Sequence, residues 1–469
     1  MHSDAKGDPL DIEKILKKVE EKTDYAEVRY EKSLTNTLVM KNGNIDAVNV
    51  EQEKGISLRV LYDGGIGFVS TNSSKDTDDL IKRAIKMAKN NKSEVGLSKE
   101  MAYEDKWIVS QEKKIEDTDL EWKIEYLQNL DKRMMETKVN IPARIFQLND
   151  TLIEKEYVNS DGAKIIAYHP KIGFFYFLTI VGKTVEQGYK QFGYSGGYEA
   201  FDVWDLENVA INEVKGLNKV ANQGKEAPRG KMDLLCGPEV TGIAVHESCG
   251  HPSEADRIMG RESSQAGESF IKENMVGQGV GSEYVTIAED PTIEHSYGYY
   301  KYDGEGVKAR IKYLYKEGKI NEFLHSRETA YKMGIQSNGA ARASSYNREP
   351  IPRMANTFFV PGDYSFDELI EDIKFGIYMK NFTEWNIDDK RYNQRYIGRE
   401  SYIIENGEIK DPVKRPVLEI TTPGFYKAVD AAGNDLEFTA GSCGKSDPMQ
   451  GLDVWMGGPT IRLRNVIFR

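Results

Sequence analysis

Positions 11–23 place Ile12, Ile15, Leu16 and Val19 on one face and charged residues on the others, which predicts an amphipathic helix. The spacing then shortens to alternation. Strands are predicted over 25–30, 35–40 and 44–50, with Asn42-Gly43-Asn44 as the turn between the last two. Residues 55–69 supply two more strands around Asp63-Gly64-Gly65. Helical spacing returns over 76–90, where Leu80, Ile81, Ala84, Ile85 and Ala88 form the inner stripe, and over a long charged segment, 118–137. From 142 to 200 the runs alternate or stay apolar between turns, so strands are predicted, and 205–223 reads as a further helix.

Gly224 to Gly230 is polar and bracketed by glycines. It divides the chain into two expected domains, 1–223 and 231–469. The second opens with a strand at 232–236, and Gly237-Pro238 starts a helix, proline being tolerated in a first turn. More strands are predicted at 284–288, 311–315, 320–324, 353–360, 400–405 and 417–421, and a helix at 365–378. The pattern predicts an α+β protein: N-terminal helices with an antiparallel sheet, then a larger, mostly-β C-terminal domain.

Composition narrows the picture. A chain of 469 residues is longer than one core usually supports. It carries 63 basic and 75 acidic residues, a net charge of −12, with no polybasic run, which argues against direct nucleic-acid or membrane-surface binding. Residues 1–9 read as a loose tail without the apolar core of a signal peptide, and the most apolar run, Ile172 to Val181, is too short to cross a bilayer. Three cysteines are too few for a disulfide framework, so a reducing, cytoplasmic setting is expected.

The chemistry concentrates in Val245-His246-Glu247-Ser248-Cys249-Gly250-His251, which holds two of the six histidines. Two imidazoles with a carboxylate beside them suit a metal and a group that handles a proton. The familiar zinc-protease spacing is i and i+4, which sets two side chains about 40° apart around a helix, whereas i and i+5 sets them about 140° apart. A straight helix aims such rings apart. Either the helix contains a π-bulge or it ends between the histidines, and Gly250 and Pro252 favour an end near His251. Without a metal, the pair reads as two structural histidines at a helix end. A catalytic metal site usually has three protein ligands, and Cys443, His295 and His325 are the candidates for the third.

Read together, VHESCGH, the stretches NGAARASSY and PIPRMANTF within 338–358, and GSCGK at 441–445 resemble the TldD/PmbA family, the modulator-of-gyrase metallopeptidases. The resemblance covers most of 230–469. The family contains metal-binding subunits with His-Glu-x-x-x-His and metal-less paralogues, and this chain resembles the metal-binding, TldD-type subunit. The resemblance implies Cys443 as third ligand beside His246 and His251, one Zn2+ per chain, and Glu247 as general base acting on metal-bound water. It implies peptide-bond hydrolysis in unfolded or flexible polypeptides, and a dimer with a metal-less TldE/PmbA-type paralogue or with itself. The alternative is a non-catalytic modulator in which the metal is structural. Arg342 and Arg353 are candidates for orienting a peptide or supporting the site, and Tyr346 for donating to an oxyanion. The carboxylates of Tyr302-Asp303-Gly304-Glu305-Gly306 are candidates for outer partners of the histidines. Ser446-Asp447-Pro448-Met449 departs from the family, where many members carry a Gly-Gln pair.

Overall fold

The computed structural model describes residues 11–73, 77–91, 94–262 and 267–469, so the expected N-terminal tail lies outside the described residues. Helix α1 (Ile12–Glu20) starts where the Asp11 side chain accepts the Lys14 N–H at 3.0 Å, and its four apolar residues are buried. β1 (Tyr25–Lys41) and β2 (Asn44–Tyr62) form a long hairpin. Its turn residues Asn42 and Gly43 have φ of 50° and 77°, the left-handed pair that a two-residue hairpin turn needs. Asp63 and Gly64 repeat the device, with φ of 48° and 72°, before β3 (Gly65–Thr71).

After α2 (Thr77–Asn90) come β4 (Glu104–Ile108), α3 (Leu120–Met135), β5 (Ala143–Asn159), β6 (Lys164–Val181) and β7 (Val185–Ser195). The sheet runs β3-β2-β1-β5-β6, and the far edge of β6 pairs with β4 at one end and β7 at the other. Among the described residues of this sheet, only the β4–β6 pairing is parallel. Helices α4 (Ala200–Trp204) and α5 (Leu206–Gln223) close this part, with Val214 and Leu217 packed in one core with Leu127, Phe174 and Tyr176.

The separate strands predicted over 25–30 and 35–40 are one strand, as are those over 44–50 and the first after Gly55. The polar residues between them stay in the sheet because backbone pairing continues through them. Glu31, Lys32 and Ser33 pair with Gly55, Lys54 and Glu53 on one side and with Lys155, Glu154 and Ile153 on the other. Ion pairs Lys32–Glu154 and Lys155–Glu31, at 3.0 and 3.2 Å, cross the strands there.

The C-terminal region is mostly β and larger, and completes the α+β fold. In its ten-stranded sheet, Gly230–Cys236 lies between Ile461–Phe468 and Phe375–Met379. A six-stranded sheet includes Asn356–Phe359, Gln450–Gly458 and Glu437–Lys445 as neighbours. The single helix predicted over 365–378 is a correction. A short helix, Phe366–Ile370, capped by Ser365, is followed by the strand Phe375–Met379, which pairs in parallel with Gly230–Cys236. Sequence spacing there suits either period, and a central sheet position decided it. Among the described residues no helix is long and apolar enough to cross a membrane.

Helix α6 (Pro238–Val245) joins the two sheets into one core. Every residue from Val240 to Val245 is buried, and fully burying a side chain such as Val or Ile contributes about 1.5–3 kcal/mol. Gly242 allows close approach to the strand Gln450–Gly458, since a Cβ there would stand 3.0 Å from the Met456 carbonyl.

The N- and C-terminal parts are fastened by buried charge. Arg59 of β2 donates to Glu27 of β1 at 3.0 Å and to Glu305 at 2.6 Å, and Tyr157 of β5 donates to the Glu305 carbonyl at 2.8 Å. Removing one member of such a buried pair typically costs about 3–5 kcal/mol, because its partner is left uncompensated.

Candidate metal centre

The site begins where α6 ends. His246–Gly250 form one π-helical turn, in which the His251 N–H bonds to the His246 carbonyl, and His251–Ser253 follow as a 3-10 turn. Both readings of the histidine spacing therefore meet at one place: a π-turn, then the helix end. The i→i+5 bond rotates His251 back toward His246, and the two rings stand 4.9 Å apart, nearly perpendicular. Gly250 fits because a Cβ there would collide with the Met354 sulfur, 1.9 Å away.

Cys443 approaches from the strand Glu437–Lys445, its Sγ 3.4 Å from His251 Nε2. Ligand atoms of His246, His251 and Cys443 all lie within 4.8 Å of one another, and all three side chains are buried. His251 Nδ1 meets Glu254 Oε2 at 3.1 Å, which turns Nε2 toward the cysteine. His246 Nδ1 is buried without a hydrogen-bond partner. Burial lowers the pKa of both histidines. Burial pushes the Cys443 thiol up, but the charges of His251 and Arg353 outweigh it and bring it to about 7. Two buried imidazoles that give up their protons readily, a cysteine sulfur beside them and an orphaned ring nitrogen suit metal binding, so the donor set fits one.

Outer partners hold this geometry. Glu254 also receives Arg257 Nε at 2.6 Å and Lys445 Nζ at 3.2 Å. Burial opposes its charge, but Lys445, His251 and Arg257 hold its carboxyl well below the usual range. Lys445 bonds Asp256 at 2.7 Å as well, tying the Cys443 strand to the segment after the histidines. Glu254→Gln is expected to lower metal affinity about 10–100-fold, which competition against a colorimetric chelator measures. An unchanged affinity would mean that Glu254 does not orient His251.

Glu247 points into the same cleft, and its carboxylate is held by Arg391. Sequence reading missed Arg391. It lies 144 residues away, and no local motif marks it. The cleft has a volume of about 330 Å³. The histidines and the strand Glu437–Lys445 line one side, Phe175, Tyr189 and Gln191 of β6–β7 another, and Phe382, Trp385 and Arg391 a third.

The remaining candidates fall elsewhere. Arg353 is fully buried and donates to the carbonyls of Cys443 and, at 3.0 Å, Gln450, which places it as a support beneath the Cys443 strand. Arg342 donates to the carbonyls of Met354 and Asp453 and lines a second cavity of about 190 Å³, with Lys171, His169 and Trp107. Tyr346 packs on Gly55 of β2. Glu305 is taken up by Arg59, and Asp303 accepts the N–H groups of Glu305, Val307 and Ala341. The carboxylate on His251 is therefore Glu254 rather than one from 302–306, because the 3-10 turn His251–Ser253 brings residue 254 back to the ring. His295 stacks on Tyr194, and His325, lowered to about 4 by burial, bonds Thr329 at 3.1 Å. Cys249 and Cys236 are buried in the core, where burial raises both thiols.

Two buried imidazoles, a thiol and a carboxylate gathered at a cleft are the equipment of metal-assisted hydrolysis, and comparison with known proteins bears out that class. Residues 26–88, 113–227 and 229–468 match in turn domain 1, the central domain and the C-terminal domain of the PmbA/TldA metallopeptidases. The chain belongs to this family and is a metallopeptidase. It is 32% identical to a metalloprotease of Methanothermobacter thermautotrophicus over 97% of each chain. Identity to a metalloprotease of Methanocaldococcus jannaschii is 34%, over 97% of this chain and 98% of that one. A Saccharolobus solfataricus protein described as a zinc metalloprotease TldD homolog is 28% identical over 97% and 98%. The fold is shared with a Thermotoga maritima protein (TM-score 0.81, 16% identity, 97% and 99% covered) and with TldE from Thermococcus kodakarensis (TM-score 0.77, 16% identity, 97% and 99% covered).

Proposed function

We propose that the chain is a zinc-dependent peptidase of the cytoplasm that hydrolyses peptide bonds in unfolded or flexible polypeptides. One zinc per chain is held by His246, His251 and Cys443. The observation that carries this reading is the convergence of those three ligand atoms within 4.8 Å at the wall of a cleft that also holds Glu247. The zinc name of the Saccharolobus relative supports the metal, and the thiolate favours it over harder-ligand metals.

A bound zinc supplies Lewis acidity, polarising the scissile carbonyl and making water easier to deprotonate. Glu247 takes the proton of the attacking water as its oxygen bonds the carbonyl carbon. The same carboxyl then gives that proton to the amide nitrogen as the C–N bond breaks. Arg391 keeps the Glu247 carboxylate turned into the cleft. A cleft of about 330 Å³ takes a few residues of extended chain, which supports unfolded polypeptides as substrates. The likeness in fold to TldE supports a dimer with a metal-less TldE/PmbA-type paralogue or with a second copy.

The test is elemental analysis beside cleavage of an unfolded polypeptide and of a folded control. The expected result is near one zinc per chain, cleavage of the unfolded chain alone, loss of cleavage with a chelator and recovery on adding zinc. Equal cleavage by zinc-free protein overturns the proposal.

A further inference from the structure

We propose that Arg391 is a second catalytic residue. Its guanidinium, paired with Glu247, also receives the carbonyl oxygen of the scissile bond as negative charge builds there. This rests on the reading of Glu247 as proton acceptor and adds to it the group that stabilises the charge Glu247 gives up.

Three observations carry it. First, the guanidinium is buried at the cleft wall, with 9% of the side chain exposed beside a Glu247 at 6%. Second, its Nε is buried without a hydrogen-bond partner. An unsatisfied buried donor costs about 1–3 kcal/mol, and more for a charged group, a cost that an acceptor entering the cleft would remove. Third, the backbone is built to deliver this side chain. Arg391 sits in the left-handed region with φ of 62° and is held there from several sides. Its N–H bonds the Asp388 carbonyl at 2.9 Å, its carbonyl accepts from Thr422 Oγ1 at 2.7 Å, and the preceding Lys390 carbonyl accepts from Phe270 at 2.8 Å. A non-glycine residue fixed in such a conformation beside reactive groups is a mark of function.

The charges balance. Before reaction, the cation of Arg391 faces the anion of Glu247. When the water proton reaches Glu247, that anion is neutralised and an equal negative charge appears on the peptide oxygen. The buried guanidinium is then left without a counter-ion unless it takes up the new one. A fixed cation within reach of both positions follows the charge without reorganising, and such preorganisation is strongest in a site shielded from water. Lysine has the charge but not the second donor in fixed geometry.

The experiment uses the zinc-loaded full chain and an unfolded polypeptide, with zinc content and melting temperature measured for each variant. Arg391→Gln is expected to lower kcat about 10²–10³-fold, with KM changed far less and zinc content unaltered. Arg391→Lys should regain part of the loss. Arg391→Ala should regain activity with guanidinium ion below denaturing concentrations, but not with sodium chloride at equal ionic strength. Near wild-type kcat in Arg391→Gln overturns the proposal. So does an Arg391→Ala variant that is folded and zinc-loaded yet not rescued. If Arg391→Gln is fully active while Glu247→Gln is inactive, only this inference fails. If both are active, the reading of Glu247 itself fails.

Discussion

Glu247→Gln is expected to bind zinc as the parent chain does and to hydrolyse peptide bonds about 10²–10⁴-fold more slowly. The amide is nearly isosteric with the carboxylate and keeps an oxygen to accept from Arg391, so the π-turn and the rings on either side of it have no reason to move. What it loses is the capacity to take a proton. A rate loss with unchanged zinc content and melting temperature separates this chemical role from a structural one. The measurement is kcat/KM on the zinc-loaded variant, with zinc determined on the same sample. A rate within a few-fold of the parent chain would remove Glu247 from the mechanism.

Cys443→Ala is expected to lose both zinc and cleavage while remaining folded. Its sulfur stands 3.4 Å from His251 Nε2, and the ligand atoms of His246, His251 and Cys443 lie within 4.8 Å of one another, so it completes the set of three donors. Removing a ligand outright should weaken metal binding beyond the roughly 10–100-fold that follows from changing an outer partner. The strand should hold, because the Arg353 contact is to the Cys443 carbonyl rather than to its sulfur, and because the pairing of Cys443 with Leu452 is between backbones. Zinc content, cleavage and circular dichroism on one preparation decide it. Full zinc in a folded variant would show that another residue completes the set. Among the histidines weighed from sequence, His295 is engaged by Ser195 and Tyr194, and His325 by Thr329.

The elements with one dominant period were legible. The α1 stripe, the Asn42-Gly43 and Asp63-Gly64 turns and the α2 stripe lie where spacing puts them, because each depends on neighbours in sequence. The helix expected over 365–378 failed where that locality failed. Its second half becomes a central strand only because Gly230–Cys236, far back in the chain, offers a free edge. The length of β1 and β2 was hidden for a similar reason, since polar residues remain in a strand when partners on both sides complete their backbone bonds.

The site divides in the same way. His246, Glu247 and His251 stand within six positions, and Cys443 lies in a glycine-flanked stretch that reads as a turn able to approach a site, so their candidacy is written in the chain itself, although the structure makes that stretch a strand. The sequence also constrained the helix between the histidines to a π-turn or an end, from the angular period of an α-helix alone. Tertiary structure decided the rest. It chose Glu254 over the 302–306 turn as the partner of His251, put Arg353 beneath the Cys443 strand and sent Arg342 to another cavity. It made a wall of the cleft from β6 and β7, in a part of the chain with no readable chemistry, and brought Arg391 to Glu247. The physical reason is one of range. Periodicity and turn chemistry act over a few residues and leave a trace in composition, whereas a guanidinium meeting a carboxylate 144 positions away is set by how sheets stack, and no local pattern records that.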